Sequence, residues 1–424
     1  MSSLFDALSC ADDYDPDSLP VERARQLILS LVEPVAGRER LFVRQALNRV
    51  LAEDVMARLD VPAHDNSAMD GYAVRHADLA AEGETRLKLA GAAFAGHPYT
   101  GRLAAGEAVR IMTGAVIPAA ADTVVIQEVV RVEGETIITP PGQRAGQNVR
   151  RAGEDLRAGE AALKAGKLLR PAEIGLLASL GEAEVSVHRR LRVAMFSTGD
   201  ELASLGQVLA EGEIYDSNRY SMWGMLTRLG CEVIDMGVVR DDPQALEEAL
   251  IEAACHADAI ITSGGVSVGD ADFVRALMSK LGEVAFWKIA MKPGRPMAFG
   301  RIGQAAGAWL FGLPGNPVAV MASFYQFVRP ALLRMSGLPV AQTTLPVLRV
   351  PCGAPLKKGR GRTEFQRGTL YVENGVWQVR ATGAQGSGIL RSMAEANCFI
   401  VLGPESAGAQ PGELVEVQLM DGLV

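Results

Sequence analysis

The chain has 424 residues, 48% hydrophobic and 22% charged, which is enough to build several packed cores. That composition excludes whole-chain disorder, collagen-like repeats and a small disulfide scaffold. Lys and Arg total 42 against 50 Asp and Glu, so a net charge of −8 leaves no global basic footprint for nucleic acid, and aromatic residues at 5% are too few for a single-strand stacking platform.

The five cysteines, Cys10, Cys231, Cys255, Cys352 and Cys398, are scattered and never form C-x-x-C. That pattern argues against a zinc knuckle or a disulfide framework and fits a reducing cytoplasm. The N-terminus lacks the basic and apolar regions of a signal peptide, and no apolar run reaches membrane-spanning length, so a cytoplasmic protein with no membrane partner is expected.

Residues 1–19 read as an acidic tail. From Pro20, VERARQLILSLVEPV has helical spacing with Ser18 as its expected cap, and ERLFVRQALNRVLAEDV reads as a second helix. Together with 143–188, which holds the helix-like PAEIGLLASLG, residues 20–56 are expected to form a helical or mixed N-terminal domain. Residues 57–142 differ: RLKLAG, EAVRIM, DTVVIQEVVRV and ETIITP are short β-like runs broken by Gly and Pro, so a β-rich insertion domain is expected there.

Across 189–337, strand-like runs (LRVAMFS, CEVIDMGVV, ADAIITS, VAFWKIAM, PMAFGR, AWLFGLP) alternate at first with helical ones (RYSMWGMLTRL, PQALEEALIEAA, DFVRALMSKL). Such alternation indicates βαβ units and a doubly wound α/β domain built on a parallel sheet. NPVAVMASFYQFVRPALLRM reads as its closing helix. Residues 338–424 return to short β runs and are expected to form a C-terminal β-barrel-like domain.

In open α/β sheets ligands bind beyond the carboxyl ends of the strands. The segments expected there carry Glu201, Asp241, the SGGVSVGDAD loop (263–272) and LPGNP (313–317). Glycines and a following helix N-terminus suit an anion, as Gly264, Gly265 and Ser267 would provide. The alternative for that loop is a plain βα turn with Asp270 as a helix cap. It is neither a Walker A loop nor G-x-G-x-x-G. Glu201, Asp241 and Asp272 are hard oxygen donors of the kind Mg²⁺ takes beside substrate oxygens, or simply solvated loop acids. Lys288 and Lys292, four apart on one expected strand, would share a face and, with Arg295, form a cationic patch. None of the five histidines has metal-ligand spacing, and no G-x-S-x-G elbow is present.

Nine motifs in fixed order carry a further reading: DNSAMDGYAV (65–74), RIMTGAVIP (110–118), GQNVRRAGEDL (146–156), FSTGDEL (196–202), YDSNRY (215–220), TSGGVSVGDAD (262–272), KPGRPMAFG (292–300), GLPGNPVAV (312–320) and FQRG (365–368). Together they resemble the MoeA family, the molybdopterin molybdenumtransferases, which includes the E domain of gephyrin. The resemblance runs from about residue 20 to the C-terminus.

It implies a molybdenum insertase: molybdate enters the dithiolene of adenylylated molybdopterin, in a Mg²⁺-dependent step that cleaves the phosphoanhydride and releases AMP. Carried over, Asp272, Glu201, Asp241 and Lys288 serve the chemistry, with Glu201 and Asp241 as metal ligands. Gly264, Gly265, Ser267, Lys292, Pro314, Pro317, Asp70, Thr113 and Asp155 serve substrate binding. Lys292, Arg295, Arg367 and Ser387 hold molybdate. Arg295 stands where many members carry Lys. The family implies a homodimer whose insertion domain reaches the partner's pocket, and an adenylyltransferase as a candidate partner. Two alternatives stay open: a molybdopterin adenylyltransferase, and a non-catalytic scaffold of the same fold.

Overall fold

In the computed structural model, residues 18–264, 277–278, 280–303 and 307–420 are described. They fall into two compact units, Met1–Glu39 with His188–Val424, and Arg40–Val187.

The first unit begins with helix α1 (Val21–Leu31), whose Val21, Ala24, Leu27 and Ile28 recur at helical spacing and are buried. Pro20 stands at its N-cap with no side-chain cap, so Ser18 does not play the expected capping role. Residue 19 pairs instead: the Leu19 N–H donates to the Lys288 carbonyl at 2.7 Å, and the Ala290 N–H donates to the Leu19 carbonyl at 2.8 Å.

After the excursion through residues 40–187 come β1 (Arg192–Thr198), α2 (Ser217–Arg228), β2 (Glu232–Val239), α3 (Pro243–His256), β3 (Ala259–Ser263), β4 (Gly282–Lys288), β5 (Pro296–Ile302) and β6 (Ala308–Leu313). They form one six-stranded sheet of order β2-β1-β3-β6-β5-β4. The first four strands are parallel, whereas β5 and β4 are antiparallel additions, so the sheet is mixed rather than wholly parallel. The edge pair is a hairpin-like return with no helix between its strands, and antiparallel strands need none.

Alternation along β1 sets both faces. Val193 and Met195 join the core with α1, α2 and the closing helix, while Ala194 and Phe196 join Leu246 and Leu250 of α3 on the other side. That closing segment comprises α4 (Pro317–Ser323), a π-turn over Phe324–Val328, and α5 (Arg329–Met335). Pro330 explains the interruption. It has no N–H for the Gln326 carbonyl, and its ring crowds that turn. The carbonyl accepts instead from Arg25 Nε of α1 at 3.2 Å, and Gln326 Oε1 accepts from Arg25 Nη2 at 2.7 Å.

The rest of this unit holds β7 (Val347–Pro351), β8 (Thr363–Glu373), β9 (Val376–Ala381), β10 (Cys398–Leu402) and β11 (Leu414–Leu419). Their order is β9-β8-β10-β11-β7, and a bridge between Cys352 and Val379 joins the ends, closing the sheet around Val350, Leu370, Ile400 and Val417. The two-residue strand Met291–Lys292 runs parallel to the start of β8, with Lys292 opposite Glu364.

The second unit centres on a six-stranded sheet from Gly71–Val74 to Thr136–Thr139, with one core on each face. Gly71 is obligatory, because a Cβ there would lie 2.1 Å from the Val125 carbonyl oxygen. Helix Pro171–Ser179 packs with Val43, Leu51, Leu169 and Val187 in a further core. Residues 39–55, expected to be helical, are instead a strand (Arg38–Phe42), a 3₁₀ turn (Val43–Ala46) and isolated bridges. The Val43 N–H bonds the Ala183 carbonyl, and Asn48 takes φ +61°, so tertiary pairing overrides the helical periodicity.

Candidate functional site

A cavity of about 920 Å³ opens in the first unit beyond the carboxyl ends of β1, β2, β3 and β6. All four strand ends contribute: Thr198, Gly199 and Glu201 after β1, Asp241 after β2, Ser263 and Gly264 at β3, and Pro314–Pro317 after β6. Met291–Pro296, Arg362 and the 385–388 loop also line it.

The segment before α2 organises the floor. Asp216 is buried, caps α2 by accepting from the Arg219 N–H at 3.1 Å, and accepts from Ser197 Oγ at 3.0 Å. Arg219 Nε lies 3.3 Å from the same carboxylate, and its Nη1 reaches Asp235, so the buried charge is neutralised. Asn218 is the tie between strands: its Nδ2 donates to Ser263 Oγ at 2.8 Å and to the Gly315 carbonyl at 2.6 Å. Thr198 Oγ1 and Asn218 Oδ1 are buried and have no partner among the described residues. Gly264, at φ +90°, sits where a Cβ would come within 2.5 Å of the Thr198 carbonyl oxygen.

The carboxylates and cations are arranged unequally. Glu201 folds back over Gly199, where a Cβ would lie 2.6 Å from its Oε2. Lys292 Nζ pairs with Glu364 at 2.9 Å, and Arg295 Nη2 donates to Ser18 Oγ at 3.3 Å. Arg367 does not line the cavity. It is 1% exposed; its Nε donates to Ser392 Oγ and its Nη2 to the Gly386 carbonyl, both at 3.0 Å. Its backbone N–H and carbonyl also bind Gln385 and Thr382, so Arg367 is the hub on which the 382–392 loop is mounted. Burial lowers its pKa, and no carboxylate among the described residues pairs with it. Ser387 does line the cavity, and its carbonyl accepts from the Val318 N–H at the start of α4.

The sequence-derived candidates therefore divide. Glu201, Asp241, Gly264, Lys292, Arg295, Pro314, Pro317 and Ser387 meet at one cavity. Arg367 stands behind it. Lys288 is not among the lining residues, and the expectation that it shares a strand face with Lys292 fails. β4 ends at Lys288, and the chain turns at Ala290 to pair Lys292 with β8. Asp70, Thr113 and Asp155 belong to the second unit. There, the Thr113 N–H and hydroxyl donate to Asp70 at 2.7 and 2.8 Å and hold its carboxyl below the usual range. Gly265, Ser267, Asp270 and Asp272 lie outside the described residues. Asn218, Asp216 and Arg362 carried no expected role; only the YDSNRY motif pointed toward the first two.

Among the described residues no three His, Cys, Asp or Glu side chains group to hold a metal. Burial pushes the Cys231 and Cys398 thiols up to about 12, which leaves them protonated and poor ligands. No described helix is long and apolar enough to cross a membrane.

A mixed sheet whose parallel strand ends open on a roomy cavity, lined both by cations and by carboxylates, defines an α/β protein with a ligand-sized site suited to anionic groups. Comparison with known proteins narrows this. Three family models match in series: the MoeA N-terminal region (domain I and II) over residues 19–181, a probable molybdopterin binding domain over 194–334, and the MoeA C-terminal region (domain IV) over 349–420. A molybdopterin molybdenumtransferase of Haemophilus influenzae is 43% identical over 96% of this chain and 100% of its own. One from a Nostoc species is 39% identical over 84% of this chain and 83% of its own. A crystal structure of the molybdopterin biosynthesis moeA protein from Pyrococcus horikoshii superposes with a TM-score of 0.82 at 30% identity, covering 95% of this chain and 100% of that one. The chain belongs to the MoeA family.

Proposed function

We propose that this chain is a molybdenum insertase of molybdenum cofactor biosynthesis, which takes adenylylated molybdopterin and molybdate and releases AMP. The observation that carries the proposal is the cavity itself. It brings carboxylates (Glu201, Asp241) and cations (Lys292, Arg295) to one cavity, with a buried guanidinium, Arg367, mounting the 385–388 loop that also lines it. Arg367 is buried with no direct ion pair among the described residues and only the charge of Glu364 acting on it, and an oxyanion brought to the Ser387 loop would further offset the cost of that burial. Thr198 Oγ1 and Asn218 Oδ1, without a partner among the described residues, offer hydrogen bonds to the polar body of the substrate.

Glu201 and Asp241 fit Mg²⁺, which takes one or two carboxylates and completes its shell with water and substrate oxygens. Bound there, the ion would supply charge neutralisation at the phosphoanhydride. The chain's own part is positioning. Gly264 leaves room for close approach of a phosphate to backbone, and Pro314 and Pro317 fix the turn that Asn218 ties to β3. Lys292, Arg295 and Ser387 orient molybdate, and Asp272 is assigned the carboxylate role nearest the cleaved bond. In this reading the enzyme is a homodimer, and Asp70, Thr113 and Asp155 of one subunit serve the cavity of the other.

The test is AMP release from adenylylated molybdopterin by the purified chain with Mg²⁺, with and without molybdate. Molybdate-stimulated release, with activation of a molybdenum-free apoenzyme, is the expected result. Tight binding without release under any condition would overturn it.

A further inference from the structure

We infer that Arg362 is a direct contact for an anionic oxygen group of the substrates, in a position that none of the nine motifs singles out. This inference rests on the proposed function. Arg362 lines the same cavity as Lys292, Arg295 and Ser387. It differs from the other cations in how its charge is occupied. Lys292 is paired with Glu364, Arg295 donates to Ser18, and Arg367 is buried against Ser392 and Gly386. The Arg362 side chain is exposed and has neither hydrogen bond nor ion pair among the described residues.

Its backbone, by contrast, is held on both sides. The Gly361 N–H donates to the Pro404 carbonyl and the Thr363 N–H to the Ala290 carbonyl, each at 2.9 Å. Just upstream, the Lys358 ammonium is consumed by the carbonyls of Gly359, Pro404 and Ser406 at 2.9, 3.3 and 3.0 Å. Burial lowers the Lys358 pKa, as expected for a lysine used as an internal strut. Of two basic residues four apart, one is spent on the loop's own carbonyls and the other is left to face the cavity. A fixed backbone bearing a planar fork of donors suits a tetrahedral oxyanion or a phosphoryl group, which two parallel N–H bonds can grip.

The shared ligand chemistry has two sources, molybdate and the phosphate of the nucleotide-bearing substrate. Equilibrium dialysis of molybdate alone and of AMP alone separates them, using the full chain and its Arg362→Ala and Arg362→Lys variants. Arg362→Ala is expected to weaken one of the two anions by about tenfold to a hundredfold, the range of a lost charge-assisted hydrogen-bond pair. Arg362→Lys should recover part of that loss, because charge returns without the fork. Thermal unfolding should stay unchanged in both variants, since no bond to a described residue is removed. Loss confined to molybdate assigns Arg362 to the oxyanion; loss confined to AMP assigns it to the phosphate. Unchanged binding of both anions by Arg362→Ala overturns the inference, and so does a wild-type chain that binds neither. A wild-type chain that binds them, loses binding in Arg362→Ala, and yet releases no AMP would refute the proposed function while leaving this contact standing.

Discussion

Arg367→Met separates a strut from a ligand-binding cation. In the wild type two charge-assisted bonds, to Ser392 Oγ and the Gly386 carbonyl, contribute about 1.5–3 kcal/mol each. Against them stands the cost of burying a guanidinium with no direct ion pair among the described residues, several kcal/mol after relaxation. Methionine keeps much of the length without the charge, so the two effects nearly cancel. The unfolding free energy is expected to change by less than about 2 kcal/mol, most of it from the unpaired Gly386 carbonyl. The response to molybdate should differ sharply. At a concentration one hundred times Kd, ligand binding stabilises the native state by about 2.7 kcal/mol, and a tenfold weaker Kd halves that to about 1.4 kcal/mol. At roughly 2–4 °C per kcal/mol, the molybdate-induced rise in Tm should shrink by roughly 3–5 °C in the variant. Thermal melts followed by circular dichroism, with and without molybdate, read both quantities. An equal rise in both proteins would refute the reasoning. So would a loss above about 4 kcal/mol without ligand, which would make Arg367 a strut alone.

Two further outcomes rest on local geometry. Gly264→Ala puts a Cβ 2.5 Å from the Thr198 carbonyl at φ +90°, so about 1–3 kcal/mol of strain should accompany at least a tenfold loss of AMP release; normal turnover would show that the strand end can yield. Asp258 is pulled two ways: burial raises its pKa, but bidentate bonds from Arg189 and the Arg192 N–H win and hold it below its ordinary value. A depressed carboxylate contributes stability above its unfolded pKa and loses it as pH falls through the folded value, so the stability gap between wild type and Asp258→Asn should be full at pH 7 and close below about pH 4; denaturant titrations giving an equal gap at pH 7 and pH 3 would exclude this role.

The strand ends were legible because parallel strands covered on both faces carry their own signal. LRVAMFS and ADAIIT are apolar runs too continuous to face water, and the residues just after each run must lie at one edge of the sheet. Glu201, Asp241, Gly264 and Pro314 could be read that way. The chain's turn at Ala290 could not. VAFWKIAM looks like one strand, and only tertiary pairings break it, of Ile289 with Leu19 and of Met291–Lys292 with the distant Thr363–Glu364. Arg367 was visible as part of a motif, but its burial depends on Ser392 and Gly386, fixed by barrel closure rather than by neighbouring sequence. Arg362 had no signal at all. In KKGRGR a lysine used as a strut and an arginine facing a cavity look alike, since the carbonyls that consume Lys358 come mostly from residues 404–406. The apparent helix over 39–55 failed for a related reason: its apolar residues serve three different partners, at 183, 186 and 167–169.

The discontinuity of the first unit has a consequence for how the protein is made. The chain leaves that unit after Glu39 and returns at His188, and the Arg189 N–H bonds the Gly37 carbonyl at 3.0 Å, so exit and re-entry are neighbours. On the ribosome residues 40–187 emerge complete, with all their sheet partners present, before any strand of the central sheet exists. Helix α1 is translated before the excursion, yet its buried partners around Gln326 are translated some three hundred residues later. Until then its apolar face has nothing to cover it. The nascent chain therefore carries this apolar segment uncovered for some three hundred residues of synthesis, about 15–60 s at typical rates, and so short a segment gains a stable helix only when that packing arrives.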